Sequence, residues 1–202
     1  MSSDADAQPV RPRVAPELCG DYEVLSEGYY RCQDAELAGL LPEPTCADAV
    51  DAYVVPIALE KAALAGLPVP EWFLSNEYFP PPCVVYGVNP FTRGFAIVRD
   101  EAQREAAASK FTWRKKYVLC GQIISAATEI VTVRVVRGRT ESAAYETWAA
   151  DVDRVFRVPL ATLRLLRTGD DVRFSSLTVL RAKSLTPRER AFLAAAPDGA
   201  RG

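Results

Sequence analysis

The stretch KYVLCGQIISAATEIVTVRVV, residues 116–136, decides the fold. Two runs rich in β-branched and apolar residues, 116–124 and 129–136, flank the small polar segment SAAT and read as the clearest strand pair in the chain. A second pair, 160–166 and 172–180, surrounds the turn residues Thr168-Gly-Asp-Asp and has the pattern of a hairpin. Upstream, 69–74, 83–86 and 95–98 read as single short strands, and 22–25 as a short first one. Triple proline at 80–82 forms a stiff connector between two of them.

Helical signals fall between these strands. Thr45 is an N-cap residue with Asp48 at N3, and Tyr53, Val54, Ile57, Ala58 and Leu64 keep helical spacing up to Gly66, a good residue just past a helix end. Pro56 lies inside that pattern, so it either kinks one long helix or begins a second at its first position. Asp100 and Gln103 make a capping box over DEAQREAAASK, and Tyr145, Trp148, Ala149 and Val152 predict a helix within 142–156. Thr186-Pro-Arg-Glu is a capping box with proline at the first position, predicting a last helix to about residue 196. Residues 29–38 read as loop or a short helix. Strands that come singly and in hairpins, rather than in strict alternation with helices, predict an α+β fold: a mixed or mainly antiparallel sheet flanked by helices.

A chain of 202 residues favours one domain. Residues 1–17, rich in proline, alanine and aspartate, are expected to be a flexible, disordered tail; 18–196 the domain; and 197–202 a disordered C-terminus. With 49% hydrophobic and 25% charged residues the balance is that of a globular protein, and a net charge of −2 gives no global basic field to collect nucleic acid. Histidine is absent, which removes Ser-His-Asp and Cys-His catalysis and histidine-ligated zinc or iron. The five cysteines include no close pair, and no apolar run approaches the ~20 residues that span a bilayer. The polar N-terminus lacks the apolar core of a signal peptide, so a cytoplasmic location with no membrane partner is expected.

Several strings carry a family resemblance: DYEVLSEGYY (21–30), QDAEL (33–37), PTCADAVDAYVVPIALEKAALAGLPVPE (44–71), NPF (89–91) and KYVLCGQ (116–122). Over about 21–122 the chain resembles the RimK-like ATP-grasp N-terminal domain, a family of α+β modules found ahead of or beside an ATP-grasp ligase. The resemblance implies a non-catalytic accessory role, in which the module selects or presents substrate while a RimK-like ligase on another chain joins a carboxylate to an amine at the expense of ATP. ATP and magnesium are then expected on that partner alone. Consistent with this, neither asparagine of the chain, Asn76 or Asn89, has Asp or Glu two residues before it, and no GxxxxGK loop is present.

Three clusters carry candidate chemistry. Asn76, Glu77, Tyr78, Tyr86, Asn89 and Arg93 lie in the rigid, aromatic stretch SNEYFPPPCVVYGVNPF and its flank; they read as a pocket for a small peptide or amino-acid ligand, or as a structured loop whose aromatics fill core. Lys110, Arg114, Lys115 and Lys116, interleaved with Phe111, Trp113 and Tyr117, read as a patch for an anion or as a solvated helix end; an acidic protein partner or anionic ligand suits it better than DNA. Asp21, Glu23, Glu27, Asp34 and Glu36 form an acidic stretch with no singled-out pair, within which Glu27 is the residue to test first. The alternative to an accessory module is a stand-alone enzyme acting on a small peptide or amino-acid-like substrate, with Glu27 or Glu77 as base, its pKa raised by burial. Cys120, in the apolar run YVLCGQI, reads as an inert buried thiol.

Overall fold

The computed structural model describes residues 22–89 and 91–195, together with the strand Arg13–Val14. Apart from that strand, the expected tail over 1–17 and the expected C-terminal tail over 197–202 lie outside the described residues. In chain order the elements are β1 Arg13–Val14, α1 Glu27–Leu37, β2 Leu41–Pro42, α2 Cys46–Tyr53, α3 Val55–Leu64, β3 Trp72–Ser75, β4 Cys83–Gly87, β5 Phe95–Val98 and α4 Glu101–Thr112. They continue with β6 Leu119–Ile123, β7 Glu129–Val136, α5 Glu146–Phe156, β8 Leu160–Thr168, β9 Asp171–Val179 and α6 Pro187–Ala195. The fold is α+β and mainly antiparallel, as the strand pattern predicts.

The strands are not in one sheet. An antiparallel sheet of order β3-β6-β4-β5 and another of order β7-β8-β9 make up the body, and β1 and β2 pair in parallel. The decisive stretch therefore needs a correction: β6 and β7 do not pair with each other. The chain passes from one sheet to the next across 124–128, where Thr128 Oγ1 accepts from the Ser125 amide at 3.0 Å and shares a hydrogen bond with Thr168 Oγ1. Propensity identified both strands, but only the partners available on each side set the pairing. The 160–168 and 171–179 hairpin forms as expected. Residues 22–25 form turns rather than a strand, with Leu25 at φ 67°.

Helix starts follow their caps. Thr45 and Asp48 exchange both bonds of a capping box, Asp100 Oδ1 accepts from the Gln103 amide at 2.8 Å, and Thr186 Oγ1 accepts from the Glu189 amide at 3.1 Å. Pro56 resolves as the start of a second helix: Val54 breaks the chain in extended conformation and α3 begins with proline in its first turn. The segment 27–37 is helix, capped by Ser26.

Period-two alternation splits the larger sheet between two cores. Val84, Tyr86, Cys120 and Ile124 face the second sheet, α3 and α5, within a cluster that includes Leu59, Val152, Phe156, Leu163 and Phe174. Cys83, Val85 and Leu119 face α4 and pack with Phe79, Val98 and Phe111. Gly121 pairs with Phe73 across β3 and β6; a Cβ there would come within 2.1 Å of the Phe73 ring, so only glycine admits the ring.

A third, smaller core of Val136, Leu160, Leu180, Leu185 and Phe192 seats α6. Its polar lock is Arg134, whose Nε and Nη2 donate to Glu189 Oε1 and Oε2 at 2.6 and 2.7 Å. Glu189 is 2% exposed, and the Arg134 guanidinium, aided by Thr186, holds its carboxyl below the usual range. A depressed folded-state pKa supplies stability above the unfolded value and loses it as pH falls through the folded value. Arg134→Ala, which strands a buried carboxylate, is expected to cost about 3 kcal/mol at pH 7. The gap between wild type and variant in urea midpoint should shrink as pH drops below about 4.

Candidate functional site

Between the two sheets lies a cavity of about 140 Å³. Tyr86 and the β4–β5 loop close one side, the α2–α3 junction at Tyr53–Val55 another, and Arg164 with Ser176 and Thr178 a third. The Arg164 guanidinium sits 4.9 Å from the Phe95 ring centroid and 3.4 Å from Ser176 Oγ. At the mouth Arg93 pairs with Glu23 at 2.5 Å, and Glu23 is the one carboxylate in the lining. Among the described residues, no group of three or more Cys, Asp or Glu side chains is placed to hold a metal ion.

Behind Tyr86, which lines the cavity, lies a neutral hydrogen-bond network. Ser175 Oγ donates to Gln122 Oε1 at 2.6 Å, so the Tyr86 hydroxyl donates to Ser175 Oγ at 2.8 Å, and Gln122 Nε2 donates to the Ser175 carbonyl at 2.9 Å. All three side chains are buried, at 3%, 0% and 0% exposure for Tyr86, Gln122 and Ser175. Burial pushes the Tyr86 phenol up, keeping it a neutral donor. Ser175 reaches this place because of a β-bulge. Arg164 pairs with Ser176 and Leu165 with Phe174, leaving Ser175 as the extra residue. The Phe174 amide is taken by the Pro68 carbonyl at 2.8 Å, which ties the α3–β3 link to the same point.

A second, open depression of about 660 Å³ runs along α4, lined by Asn76, Glu77, Tyr78, Arg104, Glu105, Thr112, Arg114 and Lys115, among others. Arg104 lies 4.9 Å from the Tyr78 ring centroid and pairs with Glu101 and Glu105. Past α4 the chain takes three consecutive left-handed residues, Trp113, Arg114 and Lys115, with φ of 50°, 57° and 68°. Thr112 Oγ1 accepts from the Lys115 amide at 2.9 Å, Asn76 Nδ2 donates to the Lys115 carbonyl at 3.3 Å, and Trp113 Nε1 donates to Thr92 Oγ1 at 2.8 Å.

The candidate residues thus divide between two places. Tyr86, Asn89 and Arg93 border the cavity between the sheets. There Asn89 is buried, donating to the Phe111 carbonyl and accepting from the Phe91 amide, which is the structured-loop reading of that residue. Asn76, Glu77, Tyr78 and Arg114 line the α4 groove, with Lys110 and Lys116 exposed beside it. Glu27 belongs to neither: it sits exposed in the first turn of α1 and pairs with Arg31 at 2.8 Å. Sequence reasoning missed Gln122, Ser175 and Arg164. The signal for Gln122 was present, since it alternates with Cys120 and Ile124 on the apolar face of its strand. Ser175 depends on a bulge, which no residue pattern announces.

No protein-family model matches the sequence, and no curated protein matches it either. Solved structures do. A RimK domain ATP-grasp protein from Sphaerobacter thermophilus superposes at TM-score 0.63 and 18% identity, over 87% of this chain and 78% of that one. The ATP-grasp ligase PsnB, solved with a precursor peptide and AMPPNP, gives 0.53 and 16%, over 81% and 64%. The D-alanine–D-alanine ligase of Helicobacter pylori gives 0.61 and 13%, over 81% and 64%. The chain therefore has an ATP-grasp-like fold and spans about two thirds of the length of the two ligases. Coverage of 87% necessarily reaches past residue 122, so the likeness in fold includes the region where the resemblance in sequence fades.

Two outcomes follow from the buried groups. Ser175→Ala removes the hydroxyl that joins Tyr86 to the Gln122 carbonyl and is expected to cost about 2 kcal/mol, whereas adding Tyr86→Phe should cost less than the sum of the single changes. Denaturant titration of the double-mutant cycle measures this. Burial pushes the Cys83 thiol up to about 11 and the Cys120 thiol up to about 12. Native protein should leave both unalkylated by iodoacetamide at pH 8, while protein in urea reacts at both.

Proposed function

We propose that this chain is a non-catalytic, cytoplasmic recognition module of ATP-grasp-like fold that serves a RimK-like carboxylate–amine ligase on another chain. The observation that carries this reading is the neutral filling of the space between the sheets. Tyr86, Gln122 and Ser175 satisfy one another there, and the 140 Å³ that remain fall below the roughly 300 Å³ at which small-molecule sites begin. Phosphoryl transfer requires magnesium held by carboxylates, and the one carboxylate on the cavity, Glu23, is engaged by Arg93. The strings over 21–122 favour the RimK-like N-terminal module as the specific relative. PsnB, solved with its precursor peptide, is an example of an ATP-grasp ligase that binds a peptide, and a peptide or amino-acid ligand suits the polar, aromatic margin of this chain as well.

A stand-alone enzyme with Glu27 or Glu77 as base gains less support. Both side chains are exposed, and Glu27 is engaged by Arg31.

Co-expression with a RimK-like ligase tests the reading. The two proteins are expected to co-purify, with ligase turnover rising in the presence of this chain, and Arg93→Ala with Lys116→Ala should reduce both. Purified chain that forms the amide bond by itself, with variant controls excluding contamination, would overturn the proposal.

A further inference from the structure

The end of α4 and the turn after it carry a cluster of cations, of which Lys110 and Lys116 lie over the Phe111 and Tyr117 rings. Arg31, Arg93, Arg104, Arg137, Arg154, Arg167 and Arg173 each have a carboxylate. Lys110, Arg114, Lys115 and Lys116 are exposed within seven positions and form no ion pair among the described residues. Their backbone is also costly. Three successive left-handed residues that are not glycine are strained, and such conformations persist only where surrounding structure enforces them. Here Thr112, Asn76 and Thr92 enforce them with hydrogen bonds from three directions.

The turn presents those cations beside exposed rings. Trp113 is 46% exposed and packs 5.4 Å from Phe91, itself 59% exposed, while Tyr78 on the far wall of the groove is 65% exposed. We infer that the turn at 113–115 and the α4 groove form a docking site for an acidic peptide segment of a partner protein, bearing an aromatic or aliphatic side chain among its carboxylates. This names the chemistry of the partner and rests on the reading of the chain as a recognition module. Carboxylates pair with Arg114, Lys115 and Lys116; the apolar side chain lies against Tyr78 or Trp113; the volume of about 660 Å³ accepts a few residues of extended chain. A nucleic acid strand fits less well: it carries a charge at every nucleotide, and four cations within seven positions on a chain of net charge −2 make too short a basic track for it.

Fluorescence anisotropy with three labelled probes tests this: a twelve-residue peptide of alternating Glu and Asp with a central Tyr-Leu, its Gln/Asn counterpart, and a single-stranded oligonucleotide of equal charge. The acidic peptide should bind at least tenfold tighter than the neutral peptide and the oligonucleotide, with affinity falling as salt rises. Arg114→Glu with Lys115→Glu should weaken it at least tenfold, and Lys110→Ala with Lys116→Ala several-fold. A control pair on α6, Arg188→Ala with Arg190→Ala, should leave it unchanged. Circular dichroism melting confirms that each variant folds, and the milder alanine pair carries the test if charge reversal unfolds the turn. No binding of the acidic peptide, equal binding of the neutral one, tighter binding of the oligonucleotide, or indifference to both turn variants overturns the inference. Acidic-peptide binding without ligase association upholds this site and removes the ligase reading; ligase association without peptide binding does the reverse.

Discussion

Two antiparallel sheets meet in this molecule, and the constraint on their meeting is polar. A sheet face that donates Tyr86 and Gln122 to an apolar interface must satisfy a phenol and an amide away from water, at a cost of several kcal/mol if it fails. The bulged residue Ser175 meets that need from the opposite sheet, offering its hydroxyl and its carbonyl together. Apolar packing around the network tolerates many arrangements of similar volume. The hydrogen bonds tolerate far fewer, because they require β4, β6 and β9 in one relative register.

That same network shapes the functional reading. By filling the interior with neutral groups it leaves a small cavity whose margin is charged only at Glu23, Arg93 and Arg164. Four exposed cations without an ion pair among the described residues stand close together where α4 ends and the left-handed turn begins. The space between the sheets is thus neutral and hydrogen-bonded, with charge confined to its margin and to the outer rim.

Much of this was legible in the sequence, at the level of elements. Caps at Thr45, Asp100 and Thr186 mark helix starts because side-chain oxygens satisfy local amides, a short-range effect. The run 129–136 reads as strand because its β-branched residues suit a pleated surface. Pairing was not legible: 119–123 and 129–136 are adjacent in sequence yet sit in different sheets, a choice made by long-range packing. For the candidate residues, type pointed to the right neighbourhoods but not to their division. Asn76 follows the end of β3 and lines the outer groove, whereas Tyr86, ten positions on in β4, belongs to the core. Left-handed Arg114 and Lys115 gave no glycine or asparagine to announce them.

The junction between the sheets joins residues 89 apart in the case of Tyr86 and Ser175, and 53 apart for Gln122 and Ser175. Closing loops of that length is entropically expensive, and the return comes only once β4, β6 and the bulged hairpin all exist. Assembly is therefore ordered by chain length: local helices and hairpins first, the sheet-to-sheet seam last. A polypeptide emerging from the ribosome holds Tyr86 and Gln122 on an uncovered face until the final quarter of the chain arrives, so the seam is where synthesis leaves this protein most vulnerable to wrong partners.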